Sequence, residues 1–496
     1  MRWTGIVACT LCITACAVGP DYHRPSVSVP ESFKEGTDWQ RAQANPQDSL
    51  SSTWWLAYND ATLSDLVDKS LKANQSIIAA EAAYRLAKAT VEANTASLFP
   101  LVTAGVSGSR SGGNINSSSS SATAKSGGLG GQSNLINANL SASWELDLWG
   151  QVRRQIESAK ASAQASDAQL AGERLSIATS LAIDYFELRQ ADIDIAFLKQ
   201  QQQIDSAILD MTRAGFLQGI DTNDDVLTDQ DTLEVVIADL QNTEISRERC
   251  EHAIAVLIGL PPAGFTLPAR QDYAYATPPV PLGLPSQLLE RRYDVVSAER
   301  TAAAANAKIG AAEAAFFPDL TLSAEGGFEH NTLARLFTVP SRFWTLGPDL
   351  AGTLLDGGAR TAAVHEAEAT YDEDVANYRS TVLTAFQNVE DSLSSYNHLR
   401  QQEQALANVF QRNQQVFSSQ QAQLLAGTAS RRSLLTQQLT LIQAAQSVKD
   451  TQALLVESQV SLVKNLGGGW QWNESRGVAA NPIASSAQMP AQHLAP

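Results

Sequence analysis

The residues best suited to catalysis or metal binding are cysteine and histidine, and their spacing decides what chemistry the chain can carry. The six histidines are spread along the sequence, at His23, His252, His330, His365, His398 and His493. A metal site or a nucleophile–base pair needs several such groups brought together, and no motif in the sequence does this. We therefore predict no catalytic set, no metal site and no cofactor, and we expect that the protein is not an enzyme.

Three of the four cysteines lie before residue 17, in a segment with a basic start and a short apolar run. Such a segment is typical of a secretory signal, because its apolar run is far shorter than the ~20 residues that a membrane-spanning helix needs. Cys9 and Cys12 form a C-x-x-C pair, but this location disfavours a redox or metal role. Cys250 is alone in the body of the chain, so no intramolecular disulfide is available there.

The signal ends in Ile13-Thr14-Ala15-Cys16, which resembles a bacterial lipobox. We predict that residues 1–15 are removed and that Cys16 is then acylated. Two or three acyl chains would anchor the mature end stably in a membrane. Ala17 replaces the aspartate that retains lipoproteins in the inner membrane, which favours the outer membrane. An ordinary cleavable signal remains the alternative.

The charge of the chain excludes one large class of partner. The formal net charge is −17 at pH 7, so we expect no nucleic-acid partner, since binding to phosphates requires a basic surface. The apolar residues are mostly small or scattered. This composition suits paired helices better than one thick core.

A change of sequence period at residue 150 indicates a strand that runs into a long helix. Polar and apolar residues alternate over Ser141–Trp149, as in a strand with two different faces. After Gly150 the alternation stops, and the next residues lack proline over a length that gives a helix of about 100 Å. A similar transition occurs at Gly357. We predict that Gly150 and Gly357 absorb the change of direction between strand and helix.

Several matches in the same order indicate an internal duplication. They pair Phe99-Pro100 with Phe317-Pro318, Gly150 and Arg153 with Gly357 and Arg360, and Gly219 and Leu227 with Gly427 and Leu435. We divide the mature chain into an extended N-terminal segment (16–60), a first repeat (61–260), a proline-rich connector (261–285), a second repeat (286–470) and a tail (471–496) that we expect to be disordered. Each repeat is predicted to hold a helix, two strands and a long helical hairpin. Heptad spacing of apolar residues indicates that the hairpins pack as coiled coils.

The predicted helices before the strands are Leu63–Ser97 and Ser286–Ala315, and the predicted strands are Leu101–Ser109, Asn137–Trp149, Asp319–Glu325 and Phe343–Leu354. The strands carry carboxylates on one predicted face, at Glu145, Asp147, Asp319 and Glu325. This alternation is typical of a membrane β-barrel with a polar lumen, so we predict that these four residues face a lumen, where they would favour cations. Four strands cannot close a barrel, but an oligomer that pools strands would leave no open edge. A soluble sheet with one hydrated face is the alternative.

Six motifs resemble those of the outer membrane lipoproteins in the TolC-like outer membrane factor family, of the NodT type. They are A-V-G-P-D-Y-H-R-P after Cys16, W-W-L-A-Y-N-D-A-T-L at Trp54–Leu63, L-P-S-Q-L-L-E-R-R-Y-D at Leu284–Asp294, A-A-N-A-K-I-G-A-A-E-A-A-F-F-P at Ala304–Pro318, L-D-G-G-A-R at Leu355–Arg360 and L-G-G-G-W at Leu466–Trp470. The chain departs from the family at Tyr293, where proline is common.

The resemblance implies an α+β membrane protein that is a homotrimer. Its strands would form one transmembrane β-barrel, and its helical hairpins would form a coiled-coil tunnel through the periplasm. Such a protein would be lipid-anchored in the outer membrane and serve as the exit duct of a tripartite efflux pump. Its partners would be a periplasmic membrane-fusion adaptor and an inner-membrane pump of the RND or MFS type. Energy must come from that pump, since the sequence holds no nucleotide-binding loop.

Two other functions remain open from the sequence. One is an outer membrane duct for protein secretion driven by an ABC exporter. The other is a coiled-coil surface protein without a pore, which would lack duplicated strand pairs.

The charges at the two hairpin turns suggest a gate. The first turn carries Asp221, Asp224, Asp225 and, a little further on, Asp229, whereas the second carries Arg431 and Arg432. Alignment of Gly219 with Gly427 places Asp224 at the position equivalent to Arg432. We hypothesise that these opposite charges pair between neighbouring hairpins in a closed state. The alternative is a solvated charged turn, since an exposed pair contributes only ~0–1 kcal/mol.

Overall fold

The computed structural model of the chain describes residues 17–36, 52–112, 132–280 and 291–469. The predicted signal peptide, the predicted lipidation at Cys16 and the predicted tail lie outside these residues. So do most of the glycine- and serine-rich stretch between the first two strands and residues 281–290 around the end of the predicted connector.

The helices in chain order are α1 (Ala61–Ala73), α2 (Gln75–Ala96), α3 (Gln151–Leu217), α4 (Asn223–Leu257), α5 (Tyr293–Ala314), α6 (Ala359–Leu425) and α7 (Arg431–Asn465). The strands are β1 (Leu101–Gly112), β2 (Gln132–Leu146), β3 (Asp319–His330) and β4 (Arg342–Ala351). Short 3₁₀ helices lie at Lys34–Gly36, Trp54–Tyr58, Pro262–Gly264, Leu333–Arg335 and Val339–Ser341.

The two long hairpins confirm the predicted duplication. Helices α3 and α6 both contain 67 residues, and α4 and α7 both contain 35. The two pairs of helix starts are each 208 positions apart, 359 against 151 and 431 against 223. Both hairpins therefore have the same length, and their turns fall at equivalent positions.

The predicted single helix Leu63–Ser97 is wrong, because the structure has two helices that meet at Asn74. The backbone of Asn74 is extended, with ψ of 130°. Its side-chain oxygen accepts hydrogen bonds from the amides of Ser76 and Ile77, at 2.9 and 3.3 Å. Asn74 thus ends α1 and caps α2. Asparagine side chains compete with backbone carbonyl groups for backbone amides, and this competition favours helix breaks.

The predicted strand ends also need correction. Strand β2 ends at Leu146, so Asp147 and Trp149 lie outside it, whereas β3 continues to His330. Pro348 does lie within β4, opposite Leu322 of β3. Within the single chain β4 is an edge strand of the sheet, and edge strands are where proline occurs in sheets.

The four strands form one antiparallel sheet in the order β1-β2-β3-β4. Its central pair, β2 with β3, joins the first repeat to the second. Each repeat therefore contributes a strand pair, but the two pairs form one continuous ladder.

The chain divides into two compact units that cut across the predicted repeats. One unit comprises Met1–Pro25, Arg85–Ala163 and Glu299–Ala376 and contains the sheet. The other comprises Ser26–Tyr84, Gln164–Ala298 and Asn377–Pro496, and its core consists of aromatic and aliphatic side chains from both hairpins. Within the described residues, no helix combines the length and the apolar character needed to cross a bilayer.

Candidate functional site: sheet faces, junctions and hairpin turns

The polar residues predicted from the sequence share one face of the sheet. Ser141 of β2 lies opposite Glu325 of β3, and Glu145 lies opposite Thr321. Asp319 is on the same face, since it is two residues from Thr321 along the strand. The Asn139 side-chain amide donates to the Glu325 carboxylate at 2.6 Å. The register therefore places Glu145, Asp319 and Glu325 on a common polar surface.

The opposite face is apolar and exposed to solvent in the single chain. Trp144 pairs with Leu322, and Ala324 with Leu346. Trp344 keeps 80% of its surface exposed, and Leu346 is exposed as well. Monomeric soluble proteins rarely expose contiguous apolar patches of this kind, and large patches mark membrane or protein contacts. This face can therefore meet lipid while the polar face meets water.

At the first junction between strand and helix, Asp147 leaves the sheet and caps α3. Its carboxylate accepts from the amides of Val152 and Arg153, at 3.1 and 3.0 Å. It also accepts from the Arg153 guanidinium at 3.1 Å. The prediction that Asp147 belongs to the polar face of the strand is wrong, because the free amides at the helix N-terminus bind this carboxylate.

The second junction uses the same residue types at a different spacing. The Asp356 carboxylate accepts from the amides of Gly358 and Arg360 and from the Arg360 guanidinium, the last at 2.6 Å. The hydrogen bond from Arg360, with further bonds from backbone amides, lowers the pKa of Asp356. Asp356 thus caps α6 as Asp147 caps α3.

Glycines with positive φ lie at both junctions. Gly150 has φ of +87°, and Gly357 and Gly358 have +66° and +92°. The Gly150 carbonyl accepts the first helical bond of α3, from Arg154, and the Gly358 carbonyl accepts the bond from Ala362 in α6. Counted from the helix start, Gly150 therefore corresponds to Gly358, whereas the sequence alignment paired it with Gly357.

The hairpin turns are built alike and charged differently. Gly219 and Gly427 have φ of +73° and +74°, in the left-handed region that favours glycine after a helix. In the first turn the Asp225 carboxylate accepts from the backbone amide and hydroxyl of Thr222, at 2.8 and 2.6 Å. These bonds lower the pKa of Asp225. Asp225 is therefore engaged in the cap of its own helix.

Arg432 is the charged residue of the second turn that reaches the first hairpin. Its guanidinium donates to the Asp229 carboxylate and to the Thr212 hydroxyl, both at 3.0 Å. The Asp221 carboxylate lies 4.0 Å from the same guanidinium. Thr212 also donates its hydroxyl to Asp229. These four side chains, Thr212, Asp221, Asp229 and Arg432, are called the turn cluster below.

The structure brings together only part of the predicted gate. Arg432 and Asp221 belong to the turn cluster, whereas Arg431 and Asp224 are exposed and lie outside it. The predicted equivalence of Asp224 with Arg432 does not produce a contact between them within the chain. Asp229, one of the four aspartates noted at the first turn, also belongs to the turn cluster, whereas Thr212 was not predicted, because an uncharged hydroxyl gives no such signal in the sequence. Among the described residues, no group of three or more histidine, cysteine, aspartate or glutamate side chains is arranged to hold a metal ion.

The sequence that folds into this arrangement matches the profile of one protein family. The profile described as "Outer membrane efflux protein" matches residues 66–260 and 284–468, which is more than half of the chain. The chain is 28% identical over 457 residues to the antibiotic efflux pump outer membrane protein ArpC of Pseudomonas putida, and the match covers 92% of this chain and 93% of that protein.

Solved structures share the fold along almost the whole chain. The outer-membrane channel OprN superposes with a TM-score of 0.81 at 27% identity, covering 92% of this chain and 100% of that one. The open state of the MtrE outer membrane channel of Neisseria gonorrhoeae gives a TM-score of 0.79 at 26% identity, covering 92% and 99%. The predicted combination of long helical hairpins with two strand pairs per chain is therefore confirmed.

Proposed function

The chain belongs to the outer membrane efflux protein family, and we propose that three copies of it assemble into one exit duct. It lies in the outer membrane, extends into the periplasm and forms the exit path of a tripartite efflux system. The family is one of transport channels, and we assign this chain no catalytic role. The observation that supports the duct most strongly is the sheet, with an exposed apolar face and a polar face that carries five carboxylates, those of Glu145, Asp319, Glu325, Glu329 and Asp349.

The open edges of the four-stranded sheet support assembly of several copies into one barrel. Strands β1 and β4 are the edges of the four-stranded sheet, and unpaired edge groups cannot be satisfied inside a bilayer. Three sheets joined edge to edge give twelve strands, which close a ring with the polar face inward. Glu145, Asp319 and Glu325 then line the lumen.

The partners proposed from the sequence are a periplasmic adaptor and an inner-membrane pump of the RND or MFS type. The duct itself conducts passively. The cargo that we propose is a small molecule such as an antibiotic, which agrees with the name of the Pseudomonas putida relative. The rival ABC-driven secretion duct and the rival surface protein without a pore are both disfavoured by the efflux relatives and by the duplicated strand pairs.

The lipid anchor at Cys16 remains part of the proposal. The lipobox that ends at Cys16 and the Ala17 that follows it support this anchor. Intact-mass analysis of the purified protein should show removal of residues 1–15 and the added acyl chains.

The turn cluster is the gate that we propose in place of the sequence hypothesis. Arg432 connects the two hairpins of one chain through Asp229 and Asp221. Arg432 is 43% exposed, so its pairs are individually weak, about 0–1 kcal/mol each. Three weak clusters in a trimer would hold a closed state that an adaptor can open.

Replacing Arg432 with glutamate tests the gate. We expect the open-channel current in planar lipid bilayers to rise several-fold, because the introduced carboxylate would repel Asp229 and Asp221, which the native guanidinium binds. Arg431→Glu is the matched control, since Arg431 is the neighbouring arginine and is exposed outside the cluster. Exchanging the charges, with Arg432→Asp and Asp229→Arg together, should return the current toward the wild-type value.

The gate assignment fails if Arg432→Glu conducts as the wild type does, or if Arg431→Glu raises the current equally. In the second case the net charge of the turn, and not the cluster, controls the current.

A further inference from the structure

The first described residues of the chain occupy a cleft between two helices. Residues Ala17–Tyr22, called the N-terminal strap below, pass the start of α3 and then follow α5. The Val18 amide donates to the Trp149 carbonyl at 3.0 Å. These residues belong to the A-V-G-P-D-Y-H-R-P motif, for which the exit-duct function gives no reason.

Arg154 of α3 binds the strap with most of its guanidinium. Its Nε donates to the Val18 carbonyl at 3.1 Å, and its Nη2 donates to the Gly19 carbonyl and to the Asp21 carboxylate, at 3.1 and 3.0 Å. Its Nη1 donates to Glu157 at 2.8 Å. The side chain is only 5% exposed. Arginine suits this task because its planar fork binds several oxygen atoms at fixed angles.

The charge on Arg154 is maintained by its acidic partners. Burial lowers the pKa of the guanidinium, but the hydrogen bonds to Glu157 and Asp21 outweigh that effect, so the net shift is upward. A buried arginine that directs four hydrogen bonds at oxygen atoms is costly to leave unpaired. Loss of the strap would leave the Arg154 guanidinium without three of its hydrogen-bond acceptors.

Two glycines let the strap approach α5 closely. Gly19 has φ of +99°, and a Cβ atom added to it would lie 2.2 Å from the Cα of Gly310. A Cβ atom added to Gly310 would lie 2.8 Å from the Val18 carbonyl oxygen. Only glycine fits at both positions, so backbone packs directly on backbone here.

Two further contacts fix the far end of the strap. The Asn306 side-chain amide donates to the Pro20 carbonyl at 3.0 Å. The Tyr22 hydroxyl donates to the Glu299 carboxylate at 2.7 Å. Burial, with the bond to Glu299, raises the pKa of Tyr22 above its ordinary value. The far end of the strap is thus bound to α5, whereas its near end is bound to Trp149 and to Arg154 of α3.

We propose that this cleft is a binding site for the mature N-terminus of the chain itself, and that Arg154 is the residue that positions it. Cys16 is bonded to the backbone nitrogen of Ala17, and Ala17 lies against Gly150 at the first junction. The cleft therefore fixes the position of Ala17, the residue to which Cys16 is bonded, at the first junction. This role rests on the lipid anchor proposed above.

The second repeat supports a specific role for Arg154. By helix position Arg154 corresponds to Ala362, whose amide bonds the Gly358 carbonyl as that of Arg154 bonds the Gly150 carbonyl. Aligning the capping arginines Arg153 and Arg360 instead pairs Arg154 with Thr361, so neither alignment gives an arginine. The chain has two junctions but one N-terminus, and only the junction that binds the N-terminus carries the second arginine. A purely helical role for Arg154 gives no reason for this difference.

Hydrogen exchange of the full-length protein, purified in detergent, tests the site. In the wild type we expect the Val18 amide to be protected by its bond to Trp149. Arg154→Gln should raise its exchange rate by about tenfold or more, because it removes several charge-assisted hydrogen bonds. Gly19→Ala should have a similar effect from the side of the strap. Arg154→Lys should give an intermediate exchange rate, because lysine keeps the positive charge but lacks the planar guanidinium that binds several oxygen atoms at once.

Arg360→Gln is the matched control, since Arg360 bonds Asp356, Thr353 and Ala315 at the second junction. It should leave exchange at Val18 unchanged. Peptides from α4 in the same samples report whether each variant has folded. If Val18 exchanges equally fast in folded wild type and in folded Arg154→Gln and Gly19→Ala, the binding site is refuted.

The mass of the same samples separates this proposal from the lipid anchor. A protein without acyl chains, but with Val18 protected in the wild type and exposed in Arg154→Gln, would keep the binding site and overturn the anchor. An acylated protein with an unprotected Val18 would do the reverse.

Discussion

The two junctions between strand and helix derive from duplicated sequence, yet one is buried and the other is open. At the first junction the Asp147 side chain is 8% exposed, and Gly150 touches Ala17 of the strap. At the second junction the Asp356 side chain is 24% exposed, and a Cβ atom added to Gly357 or Gly358 would meet no atom within 4 Å. The same cap therefore carries an added contact in one repeat only.

This difference shows how a duplicated element can acquire a second role without losing the first. An acidic residue still caps the helix at both junctions, and an arginine still binds that residue. The first junction also contacts the strap, through Trp149 and Gly150. Equivalent substitutions should consequently destabilise the protein more in the first repeat than in the second.

The largest difference is expected for the junction glycines. Gly150→Val should destabilise the chain by roughly 2–5 kcal/mol, because it adds strain at a positive φ to a clash with Ala17. Gly358→Val should cost only the backbone strain, about 1–3 kcal/mol. The yield of trimers that survive electrophoresis in mild detergent measures both. Gly357→Val, with φ of +66° and open space, should resemble Gly358→Val. Equal losses at Gly150 and Gly358 would show that contact with the strap adds nothing.

A smaller difference is expected for the capping aspartates. Asp147→Asn should cost about 1.5–3 kcal/mol, since it weakens charge-assisted hydrogen bonds in a buried site. Asp356→Asn should lower the melting temperature less, because water can replace the lost interaction at this more exposed carboxylate. The melting temperature of each purified variant in the same detergent gives the comparison. A greater loss at Asp356 would contradict the account of the two junctions.

The smallest effect is expected for Thr361→Arg, which copies the second arginine into the second repeat. No strap reaches this junction among the described residues, so the new guanidinium has no strap carbonyl groups to bind. We expect a change in unfolding free energy within about ±0.5 kcal/mol, as for an ordinary surface substitution. A marked stabilisation would indicate that the second junction also holds acceptors for a second guanidinium, which would contradict the proposed difference between the junctions.

The sequence predicted the elements better than their ends. The period-two alternation around Trp144 and the proline-free stretch after Gly150 were enough to locate β2 and α3, because both patterns are local. The end of β2 was misplaced at Trp149, since the bond from Asp147 to the amide of Val152 depends on a backbone turn that alternation does not record. The break at Asn74 was missed for the same reason.

The site residues were harder to predict because their partners are distant in sequence. Asp221, Asp229 and Arg432 were noted from charge alone, but which of these charges meet could not be predicted, because Arg432 and Asp229 are 203 positions apart. The role of Arg154 depends on contacts with residues 18, 19 and 21 that only the fold brings near. Comparison of the two repeats at Arg154 and Thr361 was the signal that could have identified it.

The central claim is that copies of this sheet close into one duct, and a cryo-electron microscopy reconstruction in lipid nanodiscs tests it most directly. We predict three copies whose twelve strands form a closed ring, with Glu145, Asp319 and Glu325 facing a continuous lumen and Trp344 facing lipid. A single chain with an open four-stranded sheet, or a ring with these carboxylates facing lipid, would contradict the account.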